Sequence, residues 1–187
     1  MGFKIKIQNM VLTGDLKTSL ELDKIVANLE NIEYEPEQFP GVVLRIRDPK
    51  SAVLIFSSGK LVCTGTKSLK DAKIVIKKVV TKIRKIGIKV GSNYKTNLEN
   101  IVASAALNRE LDLDDIAFTL ENTEYEPEQF PGLVYRMEQP KVTFLLFGSG
   151  KVICTGARTI ADVNRAVAKV SKRLKKLDGE IAKAAKK

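Results

Sequence analysis

The 187-residue chain is 44% apolar and 29% charged, carries 32 Lys/Arg against 22 Asp/Glu for a net charge of +10, and contains no histidine. These numbers suit a folded protein of one or two domains with a polyanionic partner. They leave no imidazole base, no Ser-His-Asp triad and little scope for zinc, so an enzyme would lack its commonest tools and no cofactor or metal is expected.

The chain opens on Met1–Ile7, which alternates like a strand and lacks the apolar stretch of a secretion signal. A first strand is expected over Lys4–Val11. A helix follows, with Leu22, Ile25, Val26 and Leu29 at i, i+3, i+4 and i+7. Tyr34–Gly41, reading YEPEQFPG, breaks the helical pattern and leads into a strand over Val42–Ile46. Two further strands, Ala52–Phe56 and Lys60–Thr64, flank Ser57-Ser58-Gly59. Because glycine tolerates positive φ, this reads as a hairpin. Ser68 with Asp71 makes a capped start for a long helix, whose buried stripe is Ala72, Val75, Val79 and Ile83. Lys70, Lys73, Lys77, Lys78, Lys82 and Lys85 crowd the rest of it. It is a solvated face or a docking surface.

From residue 92 the pattern returns. YEPEQFPG recurs unchanged at Tyr125–Gly132, a shift of 91 residues, and Ser58–Gly65 returns as Ser149–Gly156 at the same shift. The second copy has a strand over Thr96–Val102 and a helix carrying Leu113, Ile116, Ala117 and Leu120. Its strands Val142–Phe147 and Lys151–Thr155 flank another glycine turn. Its long helix starts at Thr159/Asp162 and buries Val163, Val167, Val170 and Leu174. The expected division is repeat one over 1–91, repeat two over 92–181 and a short basic tail over 182–187. Each half is large enough for a modest core but marginal alone, which favours one continuous body. Strands with helices on one face make an α+β protein of two pseudo-symmetric repeats, suited to a partner with a dyad. The electrostatics are not symmetric: residues 1–92 carry +8 and residues 93–187 carry +2.

Cys63 and Cys154 occupy equivalent positions. Without a secretion signal, a buried apolar role suits them better than a disulfide. The strands pose a sharper question, because both alternating sets of side chains are apolar or nearly so. If the helices cover one face, the set holding Leu54, Phe56, Val62 and Thr64 needs another partner. That partner is a second protein layer, a dimer mate or a ligand. An apolar floor edged by Arg45, Lys60, Arg136 and Lys151 fits the DNA minor groove, whose walls are sugars and whose rims are phosphates.

The paired blocks Glu37-Gln38-Phe39-Pro40-Gly41…Arg45 and Ile55-Phe56…Cys63-Thr64-Gly65, their second copies, and Asn9-Met10-Val11 with Asn100-Ile101-Val102 resemble the TATA-box-binding proteins. The resemblance spans roughly Lys4 to Leu177 and is nearest the archaeal type. It implies a saddle: a curved antiparallel sheet underneath, four helices on the convex face, and an underside that binds the minor groove of A·T-rich DNA. This family is itself the type example of apolar wedges that kink a duplex. The wedges would be Phe39, Phe56, Phe130 and Phe147. Base and groove contacts would come from Asn9, Val11, Leu54, Val62, Thr64, Asn100, Val102, Leu145, Ile153 and Thr155. Phosphate contacts would come from Arg45, Ser58, Lys60, Arg136, Ser149 and Lys151.

Transcription factor B would meet Glu126 and Glu128, although Glu35 and Glu37 repeat them in the first copy, and RNA polymerase would join through the initiation complex. The resemblance implies a monomer on DNA, with weak self-association of the free protein left open. No membrane is expected, because the longest apolar runs, such as Ala52–Phe56, fall far short of a span. The resemblance also implies a place on the chromosome in an archaeal cytoplasm, or in the nucleus if the cell is eukaryotic. One departure concerns Glu99, which precedes Asn100 where Gln8 precedes Asn9. A carboxylate near the groove is disfavoured unless it turns away or is paired. The alternative to this reading is an RNA- or single-strand-binding sheet, which would stack bases on aromatic residues.

Overall fold

The computed structural model describes residues 3–184. In chain order its elements are β1 (Lys6–Asp15), α1 (Leu22–Asn28), β2 (Ile32–Glu33), β3 (Gly41–Ile46), β4 (Ser51–Phe56), β5 (Lys60–Thr66) and α2 (Leu69–Lys85). The sequence repeat then rebuilds them as β6 (Lys95–Ala106), α3 (Leu113–Thr119), β7 (Thr123–Glu124), β8 (Leu133–Met137), β9 (Val142–Leu146), β10 (Lys151–Ala157) and α4 (Ile160–Ala184). The α+β class, the two repeats and the four helices are as expected.

In space the chain divides into two compact units: Asn9–Asn100, and the residues up to Gln8 together with those from Ile101 on. Each repeat therefore lends a strand segment to the other repeat's unit. The first unit arranges its strands β2-β3-β4-β5-β1, with Lys95–Asn100 of β6 beyond β1. Its ladders are antiparallel. Val43 faces Leu54, Leu54 faces Val62, and Val62 faces Thr13. A bulge between Met10 and Leu12 shifts the β1–β5 register.

One set of side chains in this sheet, including Val42, Leu44, Val53, Ile55, Leu61 and Cys63, is buried against α1 and α2. Burial of each Val, Leu or Ile stabilises the unit by about 1.5–3 kcal/mol. The expected stripe Ala72, Val75, Val79 and Ile83 of α2 is buried, and Ile76 and Val80 widen it. The Ser68 hydroxyl accepts from the Asp71 N–H at 3.0 Å and donates to the Asp71 carboxylate at 2.7 Å. Such a cap contributes about 1 kcal/mol. In α1 only Leu22 and Ile25 are buried. Val26, expected on that face, is 36% exposed, at the margin of the stripe, whereas the smaller Ala117 at the matching position of an equally short helix is half-buried.

The second unit orders its strands β7-β8-β9-β10-β6, with residues 6–8 of β1 beyond β6. Val134 faces Leu145, Leu145 faces Ile153, and Ile153 faces Ser104. Val163, Val167, Val170 and Leu174 are buried as expected. Thr159 caps α4 as Ser68 caps α2, accepting from the Asp162 N–H at 3.0 Å. The Thr159 hydroxyl, then Arg165, hold the Asp162 carboxyl below its ordinary pKa.

The two long helices end differently for a legible reason. Gly87, at φ 83°, donates its N–H to Arg84 O and closes α2. At the matching position the second copy has Asp178, which is bonded to Arg109, and α4 continues. The basic tail expected over 182–187 is therefore helical through Ala184. Residues 185–187 lie outside the described residues.

The strands β2 and β7 were not expected. At two residues each they carry no periodic signal.

Candidate nucleic-acid interface

Because side chains alternate along a strand, burying one set against helices turns the other to the opposite face. In the first unit that face carries Val11, Leu54, Val62 and Thr64, all half-buried. The register adds Thr13, Val43 and Ala52, which belong to the same rows although the sequence had not singled them out. In the second unit Val102, Leu145, Ile153 and Thr155 are half-buried in the same way, joined by Ser104, Val134 and Thr143. Nearly continuous apolar runs thus yield, in each unit, one sealed face and one partly open face of Val, Leu, Ile and Thr.

Asn9 is held on this face from both ends of its amide. Its Nδ2 donates to Thr64 Oγ1 at 2.9 Å, and its Oδ1 accepts from the Gly65 N–H at 2.7 Å. Such a pre-set amide costs little further ordering when a base edge arrives. Asn100 lies half-buried near the middle of β6. Glu99 is paired: Thr13 Oγ1 lies 3.2 Å from its Oε1. The equivalent bond in the second unit runs from Gln8 Nε2 to Ser104 Oγ at 2.7 Å. The departure at Glu99 is therefore accommodated by a hydrogen bond that the repeat builds twice.

The four phenylalanines form two matched pairs. Phe39 and Phe56 meet edge to face with centroids 5.7 Å apart, and Phe130 and Phe147 do so at 6.0 Å. In each pair one ring follows the YEPEQ turn, closed by Phe39 N–H to Glu35 O and Phe130 N–H to Glu126 O. The other ring stands at the β4 end or just past β9, before the glycine turn. A glycine sits beneath each pair. A Cβ on Gly41 would lie 2.8 Å from the Phe39 ring and 3.1 Å from the Phe56 ring. One on Gly132 would lie 2.7 Å from Phe130 and 3.0 Å from Phe147. Phe130 remains 41% exposed even with Phe147 packed against it. Gly132→Ala is expected to push the Phe130–Phe147 pair apart while leaving the sheet intact. The check is an altered ring environment in aromatic NMR shifts with a near-native melting curve.

Basic and hydroxyl-bearing residues stand at the ends of these strands and in their turns. Lys60, Lys151, Ser58 and Ser149 are exposed. Arg45 and Arg136 are exposed too, but each is engaged. Arg45 Nε and Nη2 donate to the Glu33 carboxylate at 2.7 and 3.2 Å, and Arg136 bonds Glu124 at 2.7 and 3.4 Å. The hydrogen bond and charge of Arg45 hold the Glu33 carboxyl below its usual range. A phosphate would have to share these guanidiniums with a carboxylate. Glu126 and Glu128 are exposed on their turn, as are Glu35 and Glu37 on theirs. Cys63 and Cys154 are buried and unpaired by disulfide, and burial pushes both thiols up to about 11.

The family model described as "Transcription factor TFIID (or TATA-binding protein, TBP)" matches residues 4–86 and 95–177. The chain belongs to the TBP family. It is 53% identical over 171 residues to the TATA-box-binding protein of Methanosphaera stadtmanae, covering 91% of this chain and 93% of that one. It is 51% identical over 174 residues to that of Methanothermobacter thermautotrophicus, covering 93% and 96%. The solved structure of Methanococcus jannaschii TBP superposes with a TM-score of 0.86 at 50% identity, over 92% of this chain and 98% of that chain. The two matched segments of the TBP model each lie within one sequence repeat, and each contains a complete phenylalanine pair. The family is one of transcription factors and the protein is not an enzyme. No helix among the described residues is long and apolar enough to cross a membrane.

Proposed function

We propose that the protein is a general transcription initiation factor that binds the minor groove of a TATA-box element as a monomer. Each unit's open face lies along the groove floor, and each phenylalanine pair opens a base step. The observation that supports this most is the glycine-seated pair of rings beside a partly open apolar face, built once in each unit. A flat ring replaces part of the stacking lost when a step is pried apart. Asn9 and Asn100 meet adenine N3 or thymine O2, where a guanine N2 amino group would obstruct. Leu54, Val62, Leu145 and Ile153 displace water from the sugars, while Lys60 and Lys151, with Ser58 and Ser149, hold phosphates. Arg45 and Arg136 add to the rim once they share their guanidiniums with the backbone. The bent complex then presents Glu126 and Glu128 to transcription factor B, and through it to RNA polymerase. The names borne by the archaeal relatives support the element, and the family description supports the transcriptional role.

The test compares an A·T-rich duplex, its G·C-substituted counterpart and the matched single strands, in a gel shift at fixed salt. The A·T-rich duplex should bind about 10³-fold tighter or better. Equal affinity for all three sinks the reading, and tightest binding to a single strand replaces it with base stacking on an open sheet. Within this experiment Lys151→Ala should lower the slope of log affinity against log salt by about 0.9. An unchanged slope removes Lys151 from the phosphate contacts.

A further inference from the structure

The repeat supplies its own control for the face of α2 that points away from the strands. Lys70, Lys73 and Lys77 stand exposed at i, i+3 and i+7, extending about 10 Å along the helix. The matching exposed positions of α4 are Ala161, Asn164 and Ala168. The same helix, with the same cap and the same buried stripe, is thus built without these lysines. They also weaken it, since like charges three and four residues apart repel and cations oppose the dipole of a helix's first turn. None of the three makes an ion pair among the described residues. On α4, Arg165, Arg173 and Lys176 pair with Asp162 or Glu180, while Lys172 and Lys175, which lie beyond the three matching positions, make no ion pair among the described residues. A charge stripe that the fold does not require, and that the helix bears at a cost, calls for an anion from outside.

We propose that this face of α2 is a second, sequence-independent site for duplex DNA, holding the phosphate backbone of a segment other than the one on the strand face. The chemistry favours DNA over an acidic protein. Protein interfaces are anchored on buried aromatic, apolar or arginine hot spots. Here the exposed large apolar side chains beside the lysines are Leu69 and Ile74, 36% and 37% exposed, and no aromatic or arginine side chain stands between Lys70 and Lys77. Flexible lysine stems with rotatable point charges suit a phosphate backbone, whose recognition requires charge and not shape. Such a site would let one molecule hold neighbouring DNA beside the element it occupies.

The experiment saturates the strand face with unlabelled A·T-rich duplex, then titrates in a short fluorescent G·C-only duplex at low salt, read by anisotropy. The variant is Lys70→Ala/Lys73→Asn/Lys77→Ala, which installs the second copy's own residues; circular dichroism confirms its helix. Wild type should bind the labelled duplex. The variant should bind it about tenfold or more weakly, with a salt slope shallower by about 0.9 for each lysine removed. Its affinity for the A·T-rich duplex, followed with a label of its own, should not change. Equal affinity and slope for wild type and variant overturn the proposal. Polyglutamate displacing the labelled duplex better than unlabelled DNA of equal charge overturns it in favour of an acidic protein. If the A·T-rich duplex itself fails to bind, the strand-face reading falls. Wild type and variant are then compared on the free protein, and the α2 site stands or falls by that difference.

Discussion

Replacing Phe130 and Phe147 together by alanine should weaken binding to an A·T-rich element by about 2–6 kcal/mol, at least thirtyfold, and should largely abolish bending at that end. The magnitude follows from base–aromatic stacking, worth about 1–3 kcal/mol per ring removed. Bending read by fluorescence transfer between labelled duplex ends should fall with affinity, because without the rings nothing replaces the lost stacking. The salt slope should stay, since neither ring carries charge. Folded stability should also hold nearly steady, because Phe130 is 41% exposed and Phe147 is only half-buried. Phe144, three residues earlier on β9, is the control. It is fully buried and stacked at 6.5 Å on Tyr135, so Phe144→Ala should cost about 3–5 kcal/mol of folding stability. A double variant that melts early but still bends DNA would show the pair to be core and not wedge.

The distinction between Phe144 and Phe147 marks how far the sequence could be read. Phe147 was separable because it repeats Phe56, whereas Phe144 falls where the first copy has Val53. The long helices were legible through 3.6-residue stripes and Ser68/Thr159 caps, and the strands through alternating sets and glycine turns. Side-chain partners were harder. Nothing in the spacing of Glu33 and Arg45 announces an ion pair, since it depends on β2 bending back to pair with β3. The repeat did hold the clue: Glu124 and Arg136 recur at the same shift, and they are paired as well. The bonds of Gln8 with Ser104 and Glu99 with Thr13 likewise link residues whose equivalents also bond. Val26 failed for the opposite reason. Its spacing fits the stripe, but burial depends on what lies opposite the helix, which is not local information.

Gly150→Ala should destabilise the fold by about 2–5 kcal/mol and lower its melting temperature by roughly 10 °C. Two costs combine. Gly150 sits at φ 79°, where an L-residue pays about 1–2 kcal/mol. Its added Cβ would also lie 1.8 Å from the Arg109 carbonyl oxygen, a backbone atom that cannot swing aside. Relieving such a clash costs about 1–3 kcal/mol more, and each kcal/mol shifts the melting point of a protein this size by about 2–4 °C. Two neighbouring glycines isolate the cause. Gly148 has no positive φ and only an ordinary 3.6 Å approach to Leu111 O, so Gly148→Ala should be nearly neutral. Gly179 lies within α4 with nothing within 4 Å, so Gly179→Ala should stabilise by about 0.5–1 kcal/mol.

The clash also reaches the interface. Gly150 N–H bonds Phe147 O, Leu107 N–H bonds Gly150 O, and Leu111 N–H bonds Gly148 O, so the turn that carries Phe147 is seated on the loop after β6. Lifting that turn away from Arg109 should move Phe147 with it. Gly150→Ala should therefore reduce DNA bending even at temperatures where the protein remains folded. Full bending by a folded Gly150→Ala protein would mean that the seat beneath Phe147 serves stability alone.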